Sequence, residues 1–139
     1  MRIVLDTNVL VSGLLNPHGP PGRIVDIVVL GELTLLVDDR ILAEYEDVIR
    51  RPKFGFDISD IWTLTLFIEN NSEHISAPPL DLRLKDPADL PFIEVAVAGA
   101  ADALVTGNAK HFTPQARKTG LTVLSPAHFI DRLTGSLRK

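Results

Sequence analysis

The sequence predicts an α/β fold, a three-layer α/β/α sandwich with a mostly parallel central sheet, on three observations. Short apolar runs at Ile3–Leu5, Leu33–Val37, Ala103–Thr106 and Leu121–Leu124 have the length and continuity of buried strands. Stretches with helical periodicity stand between them. This alternation is the signature of βαβ units, whose crossovers build parallel sheets.

The elements follow in order. Ile3–Leu5 is a strand ended by Asp6, and Thr7-Asn8 opens a helix through Leu15. Asn16-Pro17-His18-Gly19-Pro20-Pro21-Gly22 is a turn cluster. Arg23–Leu30 is helical, with Gly31 as its stop. After the Leu33–Val37 strand, Asp38 or Asp39 caps a helix reaching Arg51, where Pro52 ends it. Ile58–Asn70 is a largely apolar helix carrying Trp62, Leu64, Leu66 and Phe67, which suits core packing or a partner surface. Glu73–Ser76 is a short extended piece before Pro78-Pro79. Asp86-Pro87 is a strong helix start, an N-cap carboxylate followed by proline at the first helical position, and that helix reaches Gly99. Gly107 stops the Ala103–Thr106 strand, and no element is assigned from there to Leu121. Pro126 opens a last helix ending near Leu133-Thr134-Gly135, with residues 136–139 expected to fray.

Bulk properties narrow the classes. The 139 residues, 45% hydrophobic and 23% charged, fit one domain spanning 1–139. No apolar run approaches the roughly 20 residues of a membrane span. An acid at position 6 interrupts any secretory leader, so the expected location is cytoplasmic. The absence of cysteine excludes disulfides, thiolate zinc sites and cysteine nucleophiles. The net charge of −4 implies that any nucleic-acid binding is local or assisted by bound cations.

Three acids stand out. In open parallel sheets, ligands bind beyond the carboxyl ends of the strands. Asp6 lies at such an end, and can serve either as N-cap or as ligand. Glu44 sits on the shoulder of the apolar arc formed by Ile41, Leu42, Tyr45, Val48 and Ile49, as a rim residue or a ligand. Asp89 falls within the apolar stripe of Phe92, Ile93, Ala96, Val97 and Ala100, whereas Glu94 points elsewhere, to the surface. A carboxylate facing a core is expensive unless it is paired or holds a metal. The alternative is a capping-box role answering Asp86. Oxygen ligands without cysteine suit Mg²⁺ or Mn²⁺, which can polarise a phosphoryl oxygen and generate hydroxide from bound water.

The stretch Ile3-Val4-Leu5-Asp6-Thr7-Asn8-Val9-Leu10, Glu44, Asp86-Pro87-Ala88-Asp89, and Leu104-Val105-Thr106-Gly107-Asn108-Ala109-Lys110-His111-Phe112 together resemble PIN domains, covering essentially the whole chain. More narrowly they look like the toxins of type II toxin–antitoxin systems, the VapC-like ribonucleases. That resemblance implies a Mg²⁺- or Mn²⁺-dependent endoribonuclease cutting RNA, restrained by a cognate antitoxin and frequently a homodimer. By position, Asp6, Glu44 and Asp89 match the three core acids, both catalytic and metal-binding. Asn8 matches the residue supporting the first acid, and Thr106 one that orients the edge of the site. The fourth acidic position falls at Asn108, an amide, which puts a second metal in doubt. Asp86 is a secondary candidate that its capping role already engages.

Lys110 and His111 follow the third strand and either meet a substrate phosphate or are plain loop residues. Arg50, Arg51 and Lys53 form a basic cluster that binds RNA or an acidic partner, or else is a solvated helix end. His18, His74 and His128 show no ligand spacing. Two other readings compete. A Mg²⁺-dependent phosphohydrolase using Asp6 as nucleophile would want a second acid where Asn8 stands. A catalytically inactive PIN-type binding module for RNA or protein is kept open by Asn108.

Overall fold

The structure, a computed structural model, describes the backbone of residues 1–138 and the side chains of residues 1–135. Five strands, β1 (Arg2–Leu5), β2 (Thr34–Val37), β3 (Glu73–His74), β4 (Ala103–Val105) and β5 (Val123–Leu124), pair in the order β3-β2-β1-β4-β5. Every pairing is parallel. Around them lie α1 (Thr7–Leu15), α2 (Pro20–Val29), α3 (Asp39–Ile49), α4 (Ile58–Asn71), α5 (Leu90–Ala98), α6 (Ala109–Thr119) and α7 (Pro126–Arg138). The expected α/β/α sandwich is present.

β1 is central, so Ile3, Val4 and Leu5 have no exposed surface. A strand covered on both faces needs a continuous apolar run, which is why alternation is absent there. The chain leaves β1 towards β2 on one side, and leaves β4 towards β5 on the other. The strand order therefore reverses between β1 and β4, and a crevice opens beyond their carboxyl ends. Asp6 and Thr106-Gly107-Asn108 flank that crevice, with the backbone N–H of Asp6 donating to the carbonyl of Val105 at 2.9 Å.

Several boundaries differ from the sequence expectation. α2 begins at Pro20, inside the expected turn cluster, because Pro20 and Pro21 fill the first helical positions where a missing N–H costs nothing. Gly22 is required there: a Cβ would come within 2.3 Å of the Pro17 carbonyl oxygen. α6 fills a stretch to which the sequence reading assigns no element. Pro114 reads as a breaker, yet it lies inside the helix, which buries Phe112 and Ala116 one turn apart and ends at Gly120 with φ 75°. α7 continues through Gly135 to Arg138, and Lys139, the last residue expected to fray, lies outside the described residues. On α4, Ile61 and Ile68 are buried while Ile58, Trp62 and Leu66 remain exposed.

Glu94 is the clearest correction. Instead of facing solvent, it is 3% exposed. α5 touches β1, β2, β4, α3 and α6, so almost no direction from it leads to water. The Glu94 carboxylate accepts from Arg40 Nη1 of α3 at 2.6 Å and from the Leu80 backbone N–H at 2.7 Å. It thereby pins the segment before Asp86 against α5. Removing one partner of a buried charge pair is costly, although Arg40 retains Asp38 and reaches solvent. We expect Glu94→Ala to lower unfolding stability by about 2–3 kcal/mol in urea titrations; a loss below about 0.5 kcal/mol would contradict this role.

Candidate active site

An open cleft of about 760 Å³ lies over the carboxyl ends of β1 and β4. Asp6, Glu44, Asp86 and Asp89 line it, with Thr7, Asn8 and Asn108 between them and Arg51, Lys85 and His111 among the other lining residues. Acids separated by up to 83 positions are thus gathered by three βα connections into one cavity.

Asp6 occupies the N-cap position of α1, yet its side chain makes no capping hydrogen bond. It is 6% exposed and accepts instead from the Thr106 hydroxyl at 2.7 Å. That hydroxyl oxygen in turn accepts from the backbone N–H of Asn108 at 3.0 Å. Thr106, fully buried at the end of β4, so relays the position of the next loop to the carboxylate. Burial raises the Asp6 pKa; the Thr106 bond and the Thr7 N–H oppose this, while Glu44 and Asp86 add to it.

Glu44 is half-buried and accepts a hydrogen bond from the Thr7 hydroxyl. Its sequence neighbour Tyr45, fully buried, donates its hydroxyl to the carbonyl of Leu5. This bond fastens α3 to the last residue of β1 and delivers Glu44 to the cleft. The Tyr45 pKa is raised well above its ordinary value by burial, then by the charges of Asp6 and Glu44, so the phenol stays a donor.

Asp89 closes a 3-10 turn at Pro87–Asp89 and immediately precedes α5. Its carboxylate caps nothing. Its pKa is pushed up to about 6 by burial first, then by Asp6, Asp86 and Glu44. Asp86 caps that turn, accepting from the Ala88 N–H at 3.0 Å, as its Asp-Pro context predicts.

The remaining expected residues divide. Asn8 faces the cleft, and its side-chain oxygen accepts from the Gly107 N–H at 3.4 Å, so it braces the β4–α6 connection. Asn108 lines the cleft. Lys110 does not; it lines an adjoining depression. His111 borders both. Of the basic cluster, only Arg51 reaches the cleft, while Arg50 pairs with Glu46 and Lys53 stands over the Phe54 ring. Thr7 was the residue sequence reasoning missed. A hydroxyl following a strand-terminal acid is the available signal, but its target, Glu44, is 37 positions away.

The donor set is oxygen-rich, and neighbouring carboxylates help raise the pKa of Asp6 and Asp89, a repulsion that a hard divalent cation relieves. Among the described residues no three acid or histidine side chains already form a ligand cage.

These features define a parallel α/β protein with an acidic cleft at its topological switch point. The PIN domain family model matches residues 2–110, and the chain belongs to that family, whose members are generally nucleases. An uncharacterized protein of Methanocaldococcus jannaschii, MJ1680, is 30% identical over 113 residues, covering 78% of this chain and 71% of that protein. The fold is similar to a chain in the crystal structure of VapBC2 from Rickettsia felis bound to a DNA fragment from their promoter. The TM-score is 0.54 at 19% identity, over 90% of this chain and 98% of that one.

The raised Asp89 pKa has a sign for stability. Its carboxyl keeps its proton in the folded state between about pH 4 and 6, where the unfolded chain, at 3.8, has lost it. Metal-free stability from this group is therefore present below that window and lost as pH rises through about 6. Discounting for solvent screening, we expect Asp89→Asn to raise the metal-free Tm by about 2–4 °C at pH 7.5, with the gain vanishing near pH 4. Thermal melts showing a lower Tm for the variant at pH 7.5 would refute it.

Proposed function

We propose that this chain is a Mg²⁺- or Mn²⁺-dependent endoribonuclease, the toxin of a type II toxin–antitoxin pair. The observation that carries the reading is the gathering of Asp6, Glu44 and Asp89 in one cleft at the sheet's switch point. Family membership supports hydrolysis of nucleic acid. RNA as substrate, a cognate antitoxin, a homodimer and a cytoplasmic setting belong to the proposal. The described residues include no helix long and apolar enough to cross a membrane.

Asp6, Glu44 and Asp89 would hold the cation, with Asp86 and Asn108 at its margin. When bound, the metal supplies Lewis acidity at a phosphoryl oxygen and a nucleophilic water at neutral pH. The protein's own contribution is preorganisation. Thr106 holds Asp6 and Thr7 holds Glu44, each through a hydroxyl donor that aims its acceptor into the cleft. Tyr45 fixes the helix that carries Glu44. Asn8 and the Asn108 N–H hold the β4–α6 connection in register with β1.

We expect Asp6→Asn to reduce RNA cleavage by about 10²–10⁴-fold without unfolding the chain, and EDTA to do the same to the wild type. Full activity in the variant, prepared free of contaminating nuclease, would remove the assignment. A non-catalytic binding module is the second reading, favoured by the amide at Asn108; it predicts RNA binding with no cleavage under any divalent ion. On the catalytic reading, Asn108→Asp adds a carboxylate at the cleft and should tighten Mn²⁺ binding about tenfold in calorimetry, whereas weaker binding would count against Asn108 adjoining the metal.

A further inference from the structure

Beside the acidic cleft lies a second depression of about 350 Å³, lined by Arg83, Leu84, Lys85, Lys110, His111, Pro114 and Gln115. Lys85 and His111 belong to both cavities, so the two adjoin. The chain carries 18 acids against 14 lysines and arginines, yet no acid lines this depression. Among the described residues, the ion pairs of the protein involve Arg2, Arg40, Arg50 and Arg51, and none engages Arg83, Lys85 or Lys110. Here three cations stand together in a depression that no carboxylate lines, with the acids of the neighbouring cleft beyond Lys85. Such a cluster repels itself and is stabilised by an anion.

A second, independent feature lies in the same wall. The Gln115 side-chain oxygen is buried without a hydrogen-bond partner. A buried unpaired amide is uncommon, because each costs about 1–3 kcal/mol. The Gln115 amide gives up no oxygen bond on turning to a ligand donor. It lies on α6 one turn beyond His111, so phosphate-binding cations and an uncommitted amide share one surface.

We propose that this depression is the subsite for the nucleotide flanking the scissile phosphate. Arg83, Lys85 and Lys110 hold the neighbouring backbone phosphate, and Gln115 accepts a hydrogen bond from a ribose hydroxyl or a base amino group. The occupant is a single-stranded nucleic acid whose next phosphate is held in the acidic cleft. The polarity of the two cavities explains how a chain of net charge −4 engages a polyanion: the acids need a cation, and the adjoining basic wall supplies the local attraction. The subsite rests on the nuclease reading for its biological meaning, but its test does not require turnover.

The probe is a fluorescein-labelled single-stranded RNA of about ten nucleotides, followed by anisotropy against the Asp6→Asn protein across a salt series. Arg83→Ala combined with Lys110→Ala should weaken binding about tenfold or more, and should lower the slope of log K against log salt by about 1–2. Gln115→Leu should weaken binding several-fold without changing that slope, because it removes no charge. Arg117→Ala, an exposed cation on the last turn of α6 outside the depression, should leave both unchanged. An unaltered slope in the double variant, with its melting temperature preserved, overturns the subsite. So does displacement of the dye by an acidic polyglutamate peptide that outcompetes excess unlabelled RNA, which would make the wall a protein-docking site. RNA binding with the expected slopes but no cleavage by wild type in Mn²⁺ would keep the subsite and discard the nuclease reading.

Discussion

The fold keeps four carboxylates together at the one point of the sheet where strand order reverses, and their mutual repulsion is the constraint around which the rest is arranged. Asp6 and Asp89 both have raised pKa values; beyond burial, Glu44 and Asp86 push each of them up, and Asp6 also raises Asp89. Like charges in a partly desolvated cleft do not gather by attraction. They are held by the core behind them: fully buried Ile3, Val4 and Leu5 in β1, Leu104 and Val105 in β4, and Phe92 and Ile93 in α5. Apolar burial at about 25 cal/mol per Å² is spread over the sheet, while the penalty is confined to its rim.

Neutral hydroxyls do most of the positioning. Thr7, Thr106 and Tyr45 each donate across the crevice, to Glu44, to Asp6 and to the Leu5 carbonyl respectively. A hydroxyl orients a carboxylate without cancelling its charge. An arginine would satisfy the acid and compete with any cation. The contrast with Glu94 makes the point within one protein. Its carboxylate takes an arginine and a backbone N–H, is fully occupied, and serves as a strut.

Electrostatics along the rim complement the cleft. Lys85 and His111 stand where the acidic cavity meets the basic depression, so the sign of the surface changes between two adjoining cavities. A net-charge argument averages over that change and is a poor guide to what these cavities accept.

Composition, apolar runs and capping residues determined the α/β class, the strand order in sequence, and the places of Asp6, Glu44, Asp86 and Asp89, because these signals act over a few neighbouring residues. Asp-Pro at 86–87 and the apolar Ile3–Leu5 run needed no tertiary partner to be legible. Only the tertiary structure decided three things. Glu94 turned inward because Arg40 and Leu80 meet it there, 54 and 14 residues away. The segment after Asn108 became α6, since burying Phe112 and Ala116 outweighed the local signal of Pro114. Thr7 found its acceptor on another helix. In each case the deciding interaction joins residues distant in sequence, and local propensity carries no information about such a partner.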